Sequence, residues 1–342
     1  MKTGEMRLAA AVVAAAALLV MTPTAASAQP SGVAADGSIG GLQAKFIDVN
    51  GVRTRYYEAG SGETLVLLHG EGWSGHSSAN TWAKNIPGLS KRFHVVAPDK
   101  LASGMTGNPL NDKDYNIQGE VAHMYQFIQT MKLGRVHVVG QSRGGGLAFF
   151  LTVAHPEIVR TLTIVDSNTA APDTGPTDRQ KVLEACPKEP DAEEWKCRLR
   201  AISFKPDVAF DDLFFRTGAY MASLPKARET VAKMQAGAGE PLRSQFNEWK
   251  KQVHERVRTE GPLQMPILLY WGKNDPSAML RNGLALLEIV AAKNPSVRMI
   301  IANHAGHFHY REYPEEFNQN VINFIDYWGR QPAATKATAS AR

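Results

Sequence analysis

The stretch Val136-His137-Val138-Val139-Gly140-Gln141-Ser142-Arg143-Gly144-Gly145-Gly146 sets the reading of the whole chain. A short apolar run ends in Gly-x-Ser-x-Gly and passes into an apolar stretch with helical spacing, Gly144–Ala154. Strand, sharp turn and helix in that order form the setting in which a serine is lifted out of a sheet. Glycines flank the serine because so tight a turn leaves no room for side chains. Ser142 is therefore the candidate nucleophile.

A serine hydroxyl needs a base beside it, and the base needs an orienting group. Downstream, the run Ile267–Tyr270 leads into Trp271-Gly272-Lys273-Asn274-Asp275. The run Arg298–Ile301 leads into His304-Ala305-Gly306-His307-Phe308. Both segments put a chemical side chain just after a strand, where ligands gather in open α/β sheets. His307 is expected to take the proton from Ser142, and Asp275 to orient the imidazole. Asp166, at the end of another strand, is the rival acid, and His304 and His309 are rival bases. His304-x-x-His307-x-His309 matches no common zinc spacing, so no metal is expected. Two backbone N–H groups should hold the developing oxyanion. Arg143 supplies one, as the residue after the serine. Glu71, in the loop His69-Gly70-Glu71-Gly72-Trp73-Ser74-Gly75, supplies the other, with His69 bracing that loop.

Around this stretch, further short apolar runs alternate with helical patterns. Ala44–Val49 and Val52–Tyr57 flank Asn50-Gly51, a two-residue hairpin signal. Thr64–His69, His94–Ala97 and Leu162–Asp166 are strand candidates, while Ile117–Met131, Ala278–Ala292 and Pro314–Tyr327 have helical spacing. The alternation predicts an α/β fold with a doubly wound, mainly parallel sheet. Between 170 and 260 the rhythm stops and helical patterns dominate, so this segment is expected to be an inserted helical cap. The core is then expected to occupy 42–169 and 261–330.

The ends have a different character. Lys2 and Arg7, the apolar run Leu8–Met21 and the small residues Ala26-Ser27-Ala28 describe a signal peptide spanning 1–28. Cleavage after Ala28 and a secreted or periplasmic location are expected. Residues 29–41 read as a flexible leader and 331–342 as a disordered tail. Cys186 and Cys197, the two cysteines of the chain, are expected to pair in an oxidising compartment. A net charge of +5 without a Lys/Arg block gives no basis for nucleic-acid binding. After signal removal no apolar segment long enough to span a membrane remains.

Taken together, these residues resemble the α/β-hydrolase superfamily from about Gln43 to Trp328. Within it the likeness is to the meta-cleavage-product hydrolases, which break carbon–carbon bonds in ring-opened aromatic compounds. Leu67-Leu68-His69-Gly70-Glu71-Gly72 resembles that family's H-G-x-G loop, and Asn80 falls where it keeps an asparagine near substrate. Gln141 stands where the family usually has Asn, Phe308 where it has Trp, Trp73 where it has Pro and Arg143 where it has Met. The resemblance implies substrate contacts at Gly70, Asn80, Gln141 and Phe308. Arg143, Arg198 and Arg200 are candidates to hold a substrate carboxylate. The expected activity is serine hydrolysis of a small molecule without cofactor, on an ester of an aromatic or carboxylate-bearing compound. Carbon–carbon hydrolysis is the alternative, and a non-catalytic binding protein on the same fold is the rival class.

Overall fold

A computed structural model describes residues 29–328 apart from Ser74 and Pro190. The expected signal peptide with its Ala28 boundary and the expected tail lie outside those residues. Eight strands form one sheet: β1 (Lys45–Val49), β2 (Val52–Ala59), β3 (Thr64–Leu68), β4 (His94–Pro98), β5 (Val136–Gln141), β6 (Val159–Val165), β7 (Ile267–Gly272) and β8 (Val297–Ala302). Their spatial order is β1-β2-β4-β3-β5-β6-β7-β8. The pairs from β4 to β8 are parallel, and β1 and β2 enter antiparallel. Asn50 and Gly51 both have positive φ, 52° and 88°. That conformation turns β1 into β2 with Val49 opposite Val52.

Helices α1 (Ile86–Leu89), α2 (Ile117–Thr130) and α3 (Arg143–Ala154) follow β3, β4 and β5. After β6 come α4 (Arg179–Leu183), α5 (Asp191–Ala201), α6 (Pro206–Ala209), α7 (Asp212–Ala222), α8 (Pro225–Gln235) and α9 (Phe246–Glu260). The chain closes with α10 (Leu280–Ala291), α11 (His309–Glu312) and α12 (Pro314–Trp328).

Strand periodicity divides the core in two. Val66 and Leu68 of β3 join one apolar cluster, with α2, α3 and α10. Leu65 and Leu67 join the other, with α1 and α12. Alternate residues of a strand face opposite sides, so β3, β5 and β7 are apolar on both and read as continuous hydrophobic runs. Trp195, Phe210, Phe214 and Phe215 of the inserted segment extend the second cluster. By contrast α9 packs with the first. Phe246 and Trp249 meet Phe150 of α3 at ring separations of 5.8 and 4.6 Å. As a packing unit, the insertion over the second face therefore ends before Phe246, short of the expected 260.

Residues 29–41, read as a flexible leader, are packed. Val33 and Ile39 are buried. The carbonyls of Asp36 and Gly37 accept from the Arg55 guanidinium, which also pairs with Asp99 at 3.0 Å. A leader tied to a buried charge gains the order that its Gly/Ala/Ser composition does not supply.

Cys186 and Cys197 form a disulfide that ties the end of α4 to α5. Closing so short a loop stabilises a chain by about 3 kcal/mol in the chain-entropy model. Joint replacement, Cys186→Ser with Cys197→Ser, is expected to lower the urea midpoint; an unchanged midpoint would contradict the linkage.

Candidate active site

The strand order reverses at β3. From it the chain passes through α1 to β4 on one side and, after α2, returns to β5 on the other. Such a switch point opens a crevice at the strands' carboxyl ends. Leu68 of β3 pairs with Gly140 of β5, so the loops leaving these strands emerge side by side.

Ser142 stands on the second of these loops with φ 54° and ψ −122°, a conformation that L residues adopt only when their surroundings enforce it. Here the enforcement is visible. Ser142 N–H donates to the Val165 carbonyl at 2.9 Å, and Ser167 Oγ and Gly146 N–H donate to its own carbonyl. A Cβ on Gly140 would fall 2.2 Å from the Gly144 carbonyl oxygen, and one on Gly144 2.3 Å from that of Leu68. Helix, turn and neighbouring loop touch through backbone alone.

The acid is resolved by reach. Asp275 Oδ2 accepts from His307 Nδ1 at 2.7 Å, while Oδ1 accepts from Ser277 N–H at 2.7 Å. Both side chains are buried. Burial disfavours a charged His307, but the attraction and hydrogen bond of Asp275 outweigh it and raise the imidazole above its usual pKa. Asp166 serves elsewhere. Its Oδ1 accepts from Gly272 N–H, and its Oδ2 lies 3.0 Å from His309 Nε2. Burial, then the charge of Asp275, holds the Asp166 carboxyl well above its usual range. Burial lowers His309 to about 4. His304 is exposed and stacks on Phe204 at 5.4 Å. The three histidines thus face three different ways.

Ser142 and His307 line one cavity of about 390 Å³ together with Gly70, Glu71, Gln141, Arg143 and Phe308. Glu71 has φ 56°. Among the described residues its N–H has no protein acceptor, and Arg143 N–H, at the first position of α3, has no carbonyl four residues behind it. His69 braces the loop: its Nε2 accepts from Lys100 N–H at 3.0 Å, which leaves Nδ1 to donate toward the Gly70 carbonyl and Ser77 Oγ. Gln141 Nε2 donates to the His307 carbonyl at 3.0 Å, linking the serine and histidine loops.

Two expectations are corrected. Asn80 does not line the cavity: its Oδ1 accepts from Tyr57 Oη and Arg55, and its Nδ2 donates to Gly37. Its amide is spent on the buried Arg55 network. Arg200 pairs with Asp207 at the surface instead of entering the site. Arg143 lines the wall, but its Nε is engaged by Glu120 at 3.1 Å and its guanidinium lies over Trp73. Arg198 does reach the cavity, accompanied by Arg179, which carried no signal in the sequence. Among the described residues neither guanidinium has a hydrogen-bond or ion-pair partner. Burial and then the charge of Arg198 lower the Arg179 pKa. Leu183, Leu199 and Ile202 complete an apolar roof from the inserted helices.

The fold, the enforced serine turn and a buried Asp–His pair facing one cavity define a hydrolase of α/β architecture. The chain belongs to the alpha/beta hydrolase fold family, which it matches over residues 63–312. It is 28% identical over 306 residues to 2-hydroxy-6-oxo-6-(2'-aminophenyl)hexa-2,4-dienoic acid hydrolase of Metapseudomonas resinovorans, covering 86% of this chain and 94% of that protein. It is 26% identical to the 2-hydroxy-6-oxononadienedioate/2-hydroxy-6-oxononatrienedioate hydrolase of Paraburkholderia xenovorans, covering 80% and 91%. A meta-cleavage product hydrolase from Pseudomonas fluorescens IP01 shares the fold with a TM-score of 0.67 at 24% identity, over 83% of this chain and 97% of that one. Among the described residues no helix is long and apolar enough to cross a membrane.

A base must be neutral to act. With the His307 pKa raised, activity should fall as pH drops through a midpoint above the ordinary histidine value of about 6.5. Asp275→Asn should cost kcat about 10⁴-fold by analogy with serine proteases. Asp166→Asn, which removes only a weaker attraction on His307, should cost far less and at most move the acid limb slightly downward. A midpoint below about 6 in the wild type, or equal losses in the two variants, would contradict the assignment of Asp275.

Proposed function

We propose that this chain is a serine-dependent hydrolase of small carboxylate-bearing molecules, with Ser142, His307 and Asp275 as its triad. Ser142 Oγ attacks the substrate carbonyl while His307 takes its proton. Asp275 holds the imidazole and stabilises its charged form. The N–H groups of Glu71 and Arg143 receive the oxyanion. As it collapses, the bond to the leaving group breaks and His307 gives that group its proton. Water, with His307 as base, then releases the acyl group from Ser142.

The observation that carries the substrate class is the pair Arg179 and Arg198, which line the cavity that holds Ser142 and, among the described residues, have no hydrogen-bond or ion-pair partner. Charged donors left unpaired in a half-buried site are matched to an anion, which a carboxylate fits through two parallel hydrogen bonds. The relatives carry the names of dienoate and dienedioate hydrolases. Within the class we therefore favour ring-opened dienoates and cleavage of a carbon–carbon bond next to a ketone, with His307 assisting ketonisation before attack. Ester hydrolysis is the second reading. It is favoured by Gln141 and Phe308, which replace the family's usual Asn and Trp around the triad, and it needs nothing beyond triad and oxyanion donors. Glu71, Gly70, Gln141 and Phe308 shape the substrate site in both readings. Export is also proposed, on the N-terminal segment 1–28 and on the disulfide, which suits an oxidising compartment.

A panel of aromatic monoesters and ring-opened dienoates, each run with wild type and Ser142→Ala, separates these readings. Faster turnover of dienoates is expected, with ester preference supporting the second reading and turnover surviving in Ser142→Ala overturning both. Arg179→Met and Arg198→Met should each raise KM for carboxylate-bearing substrates by about tenfold or more. Neutral esters should be unaffected; an equal rise for both kinds would remove the anion role.

A further inference from the structure

Behind the cavity wall lies a charged cluster that the triad chemistry does not use. Lys100, just after β4, and Glu120, in α2, have side chains with no solvent exposure. Neither lines the cavity. Lys100 Nζ donates to the Glu71 carbonyl at 2.6 Å and lies 3.5 Å from Glu120 Oε1. Glu120 in turn accepts from Arg143 Nε at 3.3 and 3.1 Å through its two carboxylate oxygens. The chain Glu71–Lys100–Glu120–Arg143 therefore joins the two residues whose N–H groups face the oxyanion.

Burying two full charges is costly unless each is paired and hydrogen-bonded, so the cluster needs a reason beyond solubility. Geometry supplies one. Glu71 holds a left-handed φ that glycine would adopt without strain. If the torsions at Glu71 relaxed, the Gly70–Glu71 peptide would rotate and carry the Glu71 N–H away from the cavity. That peptide is held through its own Gly70 carbonyl, which accepts from Ser77 Oγ and faces His69 Nδ1. The Lys100 ammonium holds the next peptide through the Glu71 carbonyl, so both sides of the Glu71 Cα are fixed. A second hold comes from above, where Trp195 Nε1 of α5 donates to Glu71 Oε2 at 2.8 Å.

We infer that Lys100 and Glu120 are positioning residues for the oxyanion hole, fixing the Glu71–Gly72 peptide, and with it the torsions that aim the Glu71 N–H, relative to the start of α3 so that both N–H groups converge on one point. The inference rests on the serine-hydrolase reading above. The groups facing Lys100 are Glu120 of α2, Arg143 of α3, and Glu71 and His69 of the loop after β3. Burial lowers the Lys100 pKa to about 8, against the attraction of Glu120. Its grip on the carbonyl should therefore weaken as pH rises through that value and the amine loses its charge.

The test is the rate of phosphonylation of the full chain by a fluorophosphonate. In that reaction the Ser142 Oγ–phosphorus bond forms, fluoride leaves, His307 accepts the serine proton, and the phosphoryl oxygen occupies the oxyanion position. Lys100→Met should lower the maximal rate about tenfold or more, short of the 10²–10³ lost when a donor is deleted. The half-saturating probe concentration should stay within about twofold of wild type, as expected when only transition-state interactions are lost. Lys100→Arg should restore most of the rate and remove the loss above about pH 8 that is expected of wild type. If an arginine variant fails to melt cooperatively, Glu120→Gln replaces it and should show the same slowing. Wild-type rates in Lys100→Met, or in Glu120→Gln where it is used, would overturn the inference, as would an arginine variant as slow as methionine or an alkaline fall shared by wild type and Lys100→Arg. If wild type and Ser142→Ala both stay unlabelled, the serine reading fails and the positioning role falls with it.

Discussion

The pairing of Leu68 with Gly140, neighbours on the parallel strands β3 and β5, is the constraint from which the site follows. It brings out two loops at one point: the Ser142 turn and the Gly70–Gly72 loop. Their contact is so close that Gly144 meets the carbonyls of Leu68 and His69 with no room for a methyl group. Neither loop could hold its conformation alone. Ser142 and Glu71 both sit at positive φ, and each is kept there by hydrogen bonds from the other elements around the crevice. Local strain at a functional site, compensated by its surroundings, is the usual pattern in enzymes.

The inserted helices act on the same point from above. His307 N–H donates to the Ile202 carbonyl at 2.9 Å, and Glu312 accepts from both Gly306 N–H and Phe204 N–H. The histidine loop is thus fastened to the segment joining α5 and α6. Trp195 of α5 reaches Glu71, so one helix touches the oxyanion side and its following loop the base side. Arg198 and Leu199 of the same helix line the cavity between them. The disulfide at Cys197 anchors α5 to α4, which carries Arg179. The cavity roof and the serine and histidine loops therefore share a support, and changes in the roof should be felt in both loops.

What could be read from the residues followed short-range rules. Asn50-Gly51 announces its hairpin because two adjacent positive φ values are needed there, and apolar runs announce β3, β5 and β7 because both faces are covered. Asp275 and His307 were legible because each follows a strand whose end the fold must bring to the crevice. Asn80 was misplaced because its amide is consumed by Tyr57, Arg55 and Gly37, contacts that no local pattern encodes. Arg179 and the Lys100–Glu120 pair were invisible for the same reason: each acquires its role from residues far away in sequence. The leader failed on composition, since the carbonyls of Asp36 and Gly37 are ordered by a buried guanidinium and not by their own side chains.

The central claim is that Ser142, His307 and the N–H groups of Glu71 and Arg143 converge on one reacting centre. A crystal structure of the protein inactivated by a small phosphonate tests this most directly. The account predicts a covalent bond to Ser142 Oγ, with the phosphoryl oxygen about 2.7–3.1 Å from both nitrogens and His307 Nε2 turned toward the phosphonate. An adduct on another residue, or a phosphoryl oxygen pointing away from the Glu71 and Arg143 amides, would contradict it.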